Sequence, residues 1–286
     1  MDSDMDSSLL KVFVAVEAEG SFSGAAKRLH YVQSNITARI KQLEDSIGRQ
    51  LFHRKPRGVA LTVAGEVLLP HAKEIVKRME DAELAMKNLG DVAGRIRIGS
   101  IESNVAVRLT PLLVDLHQKY PKVDFQLYTG TTQQVLEELL DYQLDIAFVS
   151  GVPSHPDIEV LKVIPEKMVL VEPADGIVPD VVITFKRGCT YKAFLDDIML
   201  ERGVAEYRVM EFGSLDTILG CVAAGMGRTL LPMKVVEQVA DMSAVRVVSL
   251  TKEQENIPTC LICRKDARPA FEINMFDMAE ETALTK

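Results

Sequence analysis

The stretch SFSGAAKRLHYVQSNITARIKQLEDSIGRQLFHRKPRGVALT, residues 21–62, decides the reading of this chain. Ser23 can cap a short helix running through Leu29, whose Ala25, Ala26 and Leu29 are small or apolar. After a tight connection, Val32, Ile36, Ile40, Leu43 and Ile47 follow one another at spacings of 4, 4, 3 and 4 residues. That spacing lines one face of a second helix, which Gly48 ends. The opposite face carries Gln33, Ser34, Thr37, Ala38 and Lys41. Two short helices joined this way, with a polar face on the second, describe a helix-turn-helix. RKPRG (54–58) is a basic turn between two short extended pieces and reads as a wing. Upstream, DSSLLKVFVAVEAEG (6–20) is an amphipathic helix, with Asp6 as its N-cap and Gly20 as its stop.

Charge supports a polyanion partner for this segment. The 286-residue chain carries a net charge of −8, yet residues 21–62 hold eight Lys/Arg and two acids. The window is therefore +6 and the remainder −14. A small basic module on an acidic body confines nucleic-acid contact to that module.

Downstream, Thr62 can cap a long helix to about Leu89. Within it Leu68, Ala72, Ile75, Met79, Ala82, Met86 and Leu89 alternate at spacings of 4 and 3, a heptad seam suited to pairing two chains. Packing on the helix's own domain is the competing use of that stripe. Pro70 should bend the helix or strain its first turns. Asp91–Gly94 reads as a hinge. From Arg95 the pattern changes to strands alternating with helices. Strands are expected at 95–99, 123–129, 144–149, 181–185 and 207–212. Helices are expected at about 103–120, 131–142, 190–202, 214–224 and 268–284. Extended segments IEVLKVI and KMVLVEP follow a Pro-rich bend, and RTLLP, VRVVSL and TCLICR read as further strands. Such βα repeats imply mostly parallel sheets with helices on both faces, divided into two lobes with a cleft between them.

Other function classes find little support. The His residues are scattered, and HExxH, GxSxG and GxxxxGK[ST] are absent. Neither a catalytic set, a metal site nor a cofactor is expected. Cys260 and Cys263 form a CxxC inside an expected strand, where positions i and i+3 face opposite sides and cannot share a metal. The most apolar region, Phe212–Met233, is broken by Asp216 and Arg228, which argues against a membrane span. The acidic N-terminus does not resemble a signal peptide, so the protein is expected in the cytoplasm.

GSFSGAAKRL (20–29), QSNITARIKQLEDSIGRQLFHR (33–54) and LTVAG (61–65) together resemble the LysR-type bacterial transcriptional regulators. QLDIAFVSG (143–151), FKRGCTYKAFL (185–195) and VAAGMGRTLLP (222–232) extend the resemblance along the chain. It implies an α/β protein with an N-terminal all-α winged helix-turn-helix at 1–61 and a linker and dimerisation helix at 62–90. A two-lobed, periplasmic-binding-protein-like effector domain would fill 91–286. Lobe I would take about 91–160 and 266–286, and lobe II about 161–265. It implies a double-stranded DNA operator, a small-molecule effector, and a homodimer that assembles into a homotetramer. Helix 33–46 would enter the major groove with Gln33, Ser34 and Thr37 facing bases. Arg39 and Lys41 would meet phosphate or flanking positions, and Ser21, Ser23, Arg54 and Arg57 would hold the backbone. This chain departs from many members in having Ser at 34 rather than Pro, and Thr-Ala at 37–38 rather than Ser-Arg.

Ligands of open α/β sheets sit at the carboxyl ends of the strands. That places Ser100, Glu102, Ser103, Thr129, Thr131, Thr132 and Ser150 from one lobe around the cleft. Cys189, Tyr191, Lys192, Gly213 and Ser214 would come from the other. Hydroxyls at helix N-termini with one cation favour a small carboxylate or similar anion, although Ser and Thr also cap helices routinely. Glu102 argues the other way, since it could repel an anion or bind an amine, which leaves an amino acid open. Two alternatives stay open: a redox regulator using Cys189, whose helix start and basic neighbours can lower a thiol pKa, and a ligand-binding protein without DNA function.

Overall fold

The structure, a computed structural model, describes residues 6–55, 58–87, 94–186, 188–204, 206–251 and 256–267, without the side chains of residues 54, 81, 84, 85 and 87. The chain divides into two compact units, Met1–Asp91 and Val92–Lys286.

The first unit is built on helix α1 (Ser7–Glu19), α2 (Phe22–Arg28) and α3 (Gln33–Ile47). Asp6 caps α1 by accepting the Ser8 N–H at 2.8 Å, and Gly20 closes the helix in the left-handed conformation. The cap of α2 is Ser21 rather than Ser23: its Oγ accepts the Gly24 N–H at 3.0 Å. Ser23 lies inside the helix, where its side chain is exposed. Phe13, Val16, Ala25, Ile36, Leu43 and Leu51 join in one core, so the spaced apolar positions of α3 face α1 and α2 as the sequence predicts. Strands β1 (Phe52–Lys55) and β2 (Gly58–Leu61) pair antiparallel as the wing. Val59 N–H donates to Gly20 O at 2.9 Å, which seats the wing on the turn before α2. Gly58 is required there: its φ is +107°, and a Cβ would stand 2.4 Å from Gly20 O.

Helix α4 (Val63–Lys87) begins at Thr62, whose Oγ1 accepts the Gly65 N–H at 3.1 Å. The expected seam is only partly free. Ala72 is buried in the unit's own core, and Leu68 packs against it. Both face α1, because the first half of α4 docks on that helix, helped by the Lys73–Glu17 ion pair. Ile75 is 38% exposed and Met86 67%, with Ala82 exposed between them and Met79 half-buried. Val63 and Val67, which the sequence reading passed over, extend this outward face. Leu89 lies outside the described residues.

The second unit has two lobes. In lobe I, β3 (Gly94–Ser100), β4 (Val123–Thr129), β5 (Ile146–Ser150), β6 (Ile158–Ile164) and a late strand, β12 (Thr259–Arg264), form one sheet in the order β4-β3-β5-β12-β6. In lobe II, β7 (Met168–Pro173) is flanked by β10 (Thr229–Pro232) and β11 (Val245–Val248), while β8 (Val181–Phe185) pairs with β9 (Arg208–Phe212). Strand 259–264 therefore belongs to lobe I and not to lobe II, and lobe I runs to residue 164 rather than 160. The sheets are mixed rather than mostly parallel. β4-β3-β5 and β8-β9 are parallel, but β12 returns from lobe II and enters antiparallel to both β5 and β6. Cys260 and Cys263 are both buried and pack in different core clusters, as expected for i and i+3 of a strand.

The expected helix 103–120 is interrupted. It runs as α5 (Glu102–Asn104), a π-helical turn (Val105–Leu109) and α6 (Thr110–Lys119). Pro111 has no N–H to give to Val107 O, and the Thr110 N–H and Oγ1 both reach back to Val105 O. The turn carries Val107 into the core of lobe II. Helices α7 (Thr132–Leu140), α8 (Thr190–Glu201) and α9 (Leu215–Ala223) follow β4, β8 and β9, as the alternating pattern predicts. The short helix α10 (Met233–Val239) was missed, being hidden in an apolar run between two strands. The expected helix 268–284 lies outside the described residues.

Two crossovers join the lobes and are tied together. Lys167 bridges Asn256, and the Gly151 N–H reaches Pro258 O at 2.7 Å. Glu166, buried between them, holds the Arg108 guanidinium from the π turn and accepts the Thr259 hydroxyl at 3.0 Å.

Candidate functional site

The first unit presents the polar face of α3. Gln33 and Ser34 stand exposed in its first turn, and Lys41 is exposed two turns on. The Thr37 hydroxyl donates to Gln33 O at 3.0 Å, which fixes its rotamer and uses its one proton. Arg39 differs from expectation. Its guanidinium bonds Asn35 Oδ1 at 2.9 Å and Ser8 Oγ at 3.1 Å and lies over the Tyr31 ring, so it ties α3 to α1. Ser21 is likewise occupied as a helix cap. Glu44 accepts the backbone N–H groups of Leu51 and Phe52, which aims the wing relative to α3. A broad groove between α3 and the wing is lined by Thr37, Lys41, Arg49 and His53 among others, and the cation Arg49 was not singled out from sequence. The Arg54 side chain and Arg57 lie outside the described residues.

The second unit encloses a cavity of about 220 Å³ between its lobes. Lobe I lines it with Glu102, Ser103, Thr129, Thr131, Thr132 and Ser150, and lobe II with Cys189, Tyr191 and Gly213. The strand-end rule thus brought these nine together. Ser100, Lys192 and Ser214 are not on the wall. The Ser100 hydroxyl turns inward to Ile101 O and Asn104 Nδ2. Ser214 starts α9 behind Gly213. Lys192 turns along its own helix to Asp196 and over the Tyr207 ring, an i,i+4 pairing visible in the sequence. Among the described residues the cation on the wall is Lys186, directly after β8, together with Ile101, Tyr128, Gly130, Gln134, Phe185 and Thr190. Its place at the carboxyl end of a strand was the signal that should have found it.

Most of these groups already serve the fold. Thr131 and Gln134 make a capping box on α7. Thr132 Oγ1 accepts the Ser150 N–H at 3.2 Å. Across the lobes, Ser103 Oγ meets Tyr191 OH at 3.0 Å, and Thr190 Oγ1 donates to Ser150 O at 3.1 Å. Tyr191 is a neutral phenol at every physiological pH, since burial raises its pKa strongly. Ser150 Oγ, on a residue only 5% exposed, makes no hydrogen bond of good geometry, although the Tyr191 hydroxyl lies near enough to feel it. Burial, followed by the charge of Asp216, pushes the Glu102 carboxyl up.

Burial also pushes the Cys189 thiol up, overriding the backbone N–H groups of Tyr191 and Lys192 that favour a thiolate. The helix start does not produce the lowered pKa that a redox reading needs. Cys189 and Cys221 moreover pack against different core clusters.

These features define a class: a winged helix-turn-helix unit joined by a long helix to a two-lobed α/β unit with an interlobe cavity. The family model for the bacterial regulatory helix-turn-helix protein, lysR family, matches residues 7–66, and that for the LysR substrate binding domain matches residues 89–276. The chain belongs to the LysR family of transcriptional regulators. It is 39% identical to the HTH-type transcriptional regulator GltR of Bacillus subtilis (strain 168), covering 96% of this chain and 97% of that one. It is 35% identical to the regulator SoxR of Arthrobacter sp. (strain TE1826), over 90% of each. Among solved structures, a cysteine-to-aspartate variant of full-length OxyR from Pseudomonas aeruginosa matches with TM-score 0.73 and 19% identity, covering 96% of this chain and 94% of that one. Full-length CbnR complexed with its target DNA matches with TM-score 0.64 and 22% identity, covering 98% and 100%. At these identities the structural likeness speaks for the fold alone. Among the described residues no helix is long and apolar enough to cross a membrane.

Proposed function

We propose that this regulator reads an operator through α3 and that a small carboxylate, bound between the lobes, sets its affinity for that operator. Residues 1–61 would hold DNA, 62–90 would pair two chains, and 91–286 would bind the effector. The observation that carries the effector reading is the cavity itself. It joins Lys186, the one cation on its wall among the described residues, to the N-terminal ends of α7 and α8 and to an unsatisfied buried hydroxyl, Ser150. A lysine and the positive ends of two helix dipoles attract a carboxylate. A ligand touching both lobes changes their relative angle only by as much as it prefers one arrangement.

On the DNA side, Gln33 is the base reader. Its amide matches the N6/N7 edge of adenine, and the first turn of a recognition helix meets base edges. Thr37 offers a methyl and an acceptor one turn later. Lys41, Arg49 and the wing cations supply affinity and register through phosphate. The GltR and SoxR names describe transcriptional regulators, which supports this reading over a catalytic one. Fluorescence anisotropy of the full-length protein on duplexes recovered by selection tests it. Affinity should fall steeply with salt, as counterion release requires. Salt-independent binding, or recovery of no sequence preference, would refute the DNA reading.

A further inference from the structure

The effector cavity holds an imbalance of charge that a simple anion does not resolve. Glu102 begins α5 on the wall of lobe I. Asp216 sits in the first turn of α9 in lobe II, and its charge is felt at Glu102. Neither carboxylate has an ion-pair partner among the described residues. The same holds for Lys186, whose Cε and Nζ lie 3.4 and 3.8 Å from where a Cβ on Gly213 would stand. Glu102 and Lys186 share the cavity wall, where Lys186 is the one cation among the described residues, while Asp216 lies exposed at the start of α9 and adds its charge from behind Glu102. A monocarboxylate would satisfy Lys186 but leave Glu102 unpaired, and a dicarboxylate would add to the repulsion. A plain amine would leave Lys186 and the helix N-termini unmatched.

We infer that the cavity selects an ampholyte, a compact molecule with a carboxylate and a protonated amine, whose amine is read by Glu102 with Asp216 behind it and whose carboxylate is read by Lys186 and the start of α7. This rests on the effector reading of the cavity. Such a ligand is electroneutral, and its amine offsets the repulsion between Glu102 and Asp216. Ser150 Oγ, without a hydrogen bond of good geometry and nine-tenths buried on the same wall, supplies a further hydrogen bond. A cavity of about 220 Å³ suits a compact molecule. Glu102 is then the residue that sets specificity, since a half-buried carboxylate left unpaired on the wall disfavours ligands lacking the amine.

Matched acids that differ only in the amine test this by calorimetry on the full-length protein: L-alanine and propionate, 4-aminobutyrate and butyrate, L-glutamate and glutarate. In at least one pair the amino member should bind about tenfold tighter or more. Glu102→Gln should close that gap, chiefly by letting the plain acid bind more tightly, and that gain of binding also shows that the variant is folded. An equal or tighter fit of the plain acids, or a gap that survives Glu102→Gln, overturns the inference. If the plain acids bind best and weaken in Lys186→Gln, the carboxylate reading stands and the amine falls. If neither series binds, both fall.

Discussion

Removing the Glu166 carboxylate should unsettle the second unit more than any single surface change. The Glu166 side chain is 3% exposed and that of Arg108 13%, and no other ion pair of Arg108 is found among the described residues. Arg108 Nε is already buried without a partner. Glu166→Ala would strand the guanidinium between the two crossovers and deprive the Thr259 hydroxyl of its acceptor. At hydrogen-bonding separation and an effective dielectric near 20, the lost attraction is about 5 kcal/mol. Buried pairs broken from one side typically cost about 3–5 kcal/mol, because the remaining charge stays desolvated. For a unit of this size that lowers Tm by roughly 6–20 °C. Glu166→Gln keeps an acceptor for Thr259 and Arg108 and should cost less than half as much. Replacing both partners, Arg108→Met with Glu166→Leu, should recover most of the loss. The assay is scanning calorimetry of the four proteins at pH 7. A Glu166→Ala shift under 2 °C, or a double variant as unstable as the single, would show that the crossovers are not held by this pair.

Further outcomes follow from the same geometry. Gly188 (φ +94°) and Gly203 (φ +77°) would each incur a backbone cost of about 1–2 kcal/mol on substitution by Ala. Only at Gly188 does the new Cβ meet the other lobe, at 2.9 Å from Thr131 Oγ1, so Gly188→Ala alone should weaken cavity ligands about fivefold or more by calorimetry. Gln33→Ala should lose about 1–3 kcal/mol at one base position in a selection assay, whereas Lys41→Ala should weaken all sequences alike. Ile75→Asp should dissociate the dimer in light scattering, since an unpaired charge in an apolar seam costs several kcal/mol. Arg264, chiefly, and Tyr142 hold the Asp266 carboxyl down at about 2. Its stabilisation is therefore present above its ordinary value of 3.8 and lost as pH falls through 2. The Tm gap between wild type and Asp266→Asn should close over that window.

Local signals were the most readable in this chain. Asp6, Gly20, Gly48 and Thr62 mark helix ends through their own backbone chemistry, and the structure uses them so. The apolar spacing of α3 was equally legible, because one face must meet a core. What failed depends on partners distant in sequence. Strand 259–264 looks like any buried strand, and nothing in TCLICR says that it returns to lobe I. Leu68 and Ala72 fit a heptad seam, yet α1 lies against them first. The cavity cation is a different case: Asp196, one turn after Lys192, and the strand end at Lys186 were both legible, and only the Tyr207 ring over Lys192 was not. The π turn follows from Pro111 only once its neighbours are known to continue as one helix.

On the function proposed above, occupancy of the interlobe cavity is read out at the operator. That coupling is tested most directly by titrating the full-length protein against a selected duplex, with and without a saturating cavity ligand, in wild type and in Lys186→Gln. The ligand should shift wild-type operator affinity severalfold, and the shift should disappear in Lys186→Gln while ligand-free affinity stays the same. A ligand that leaves wild-type affinity unmoved, or moves both proteins equally, would contradict it.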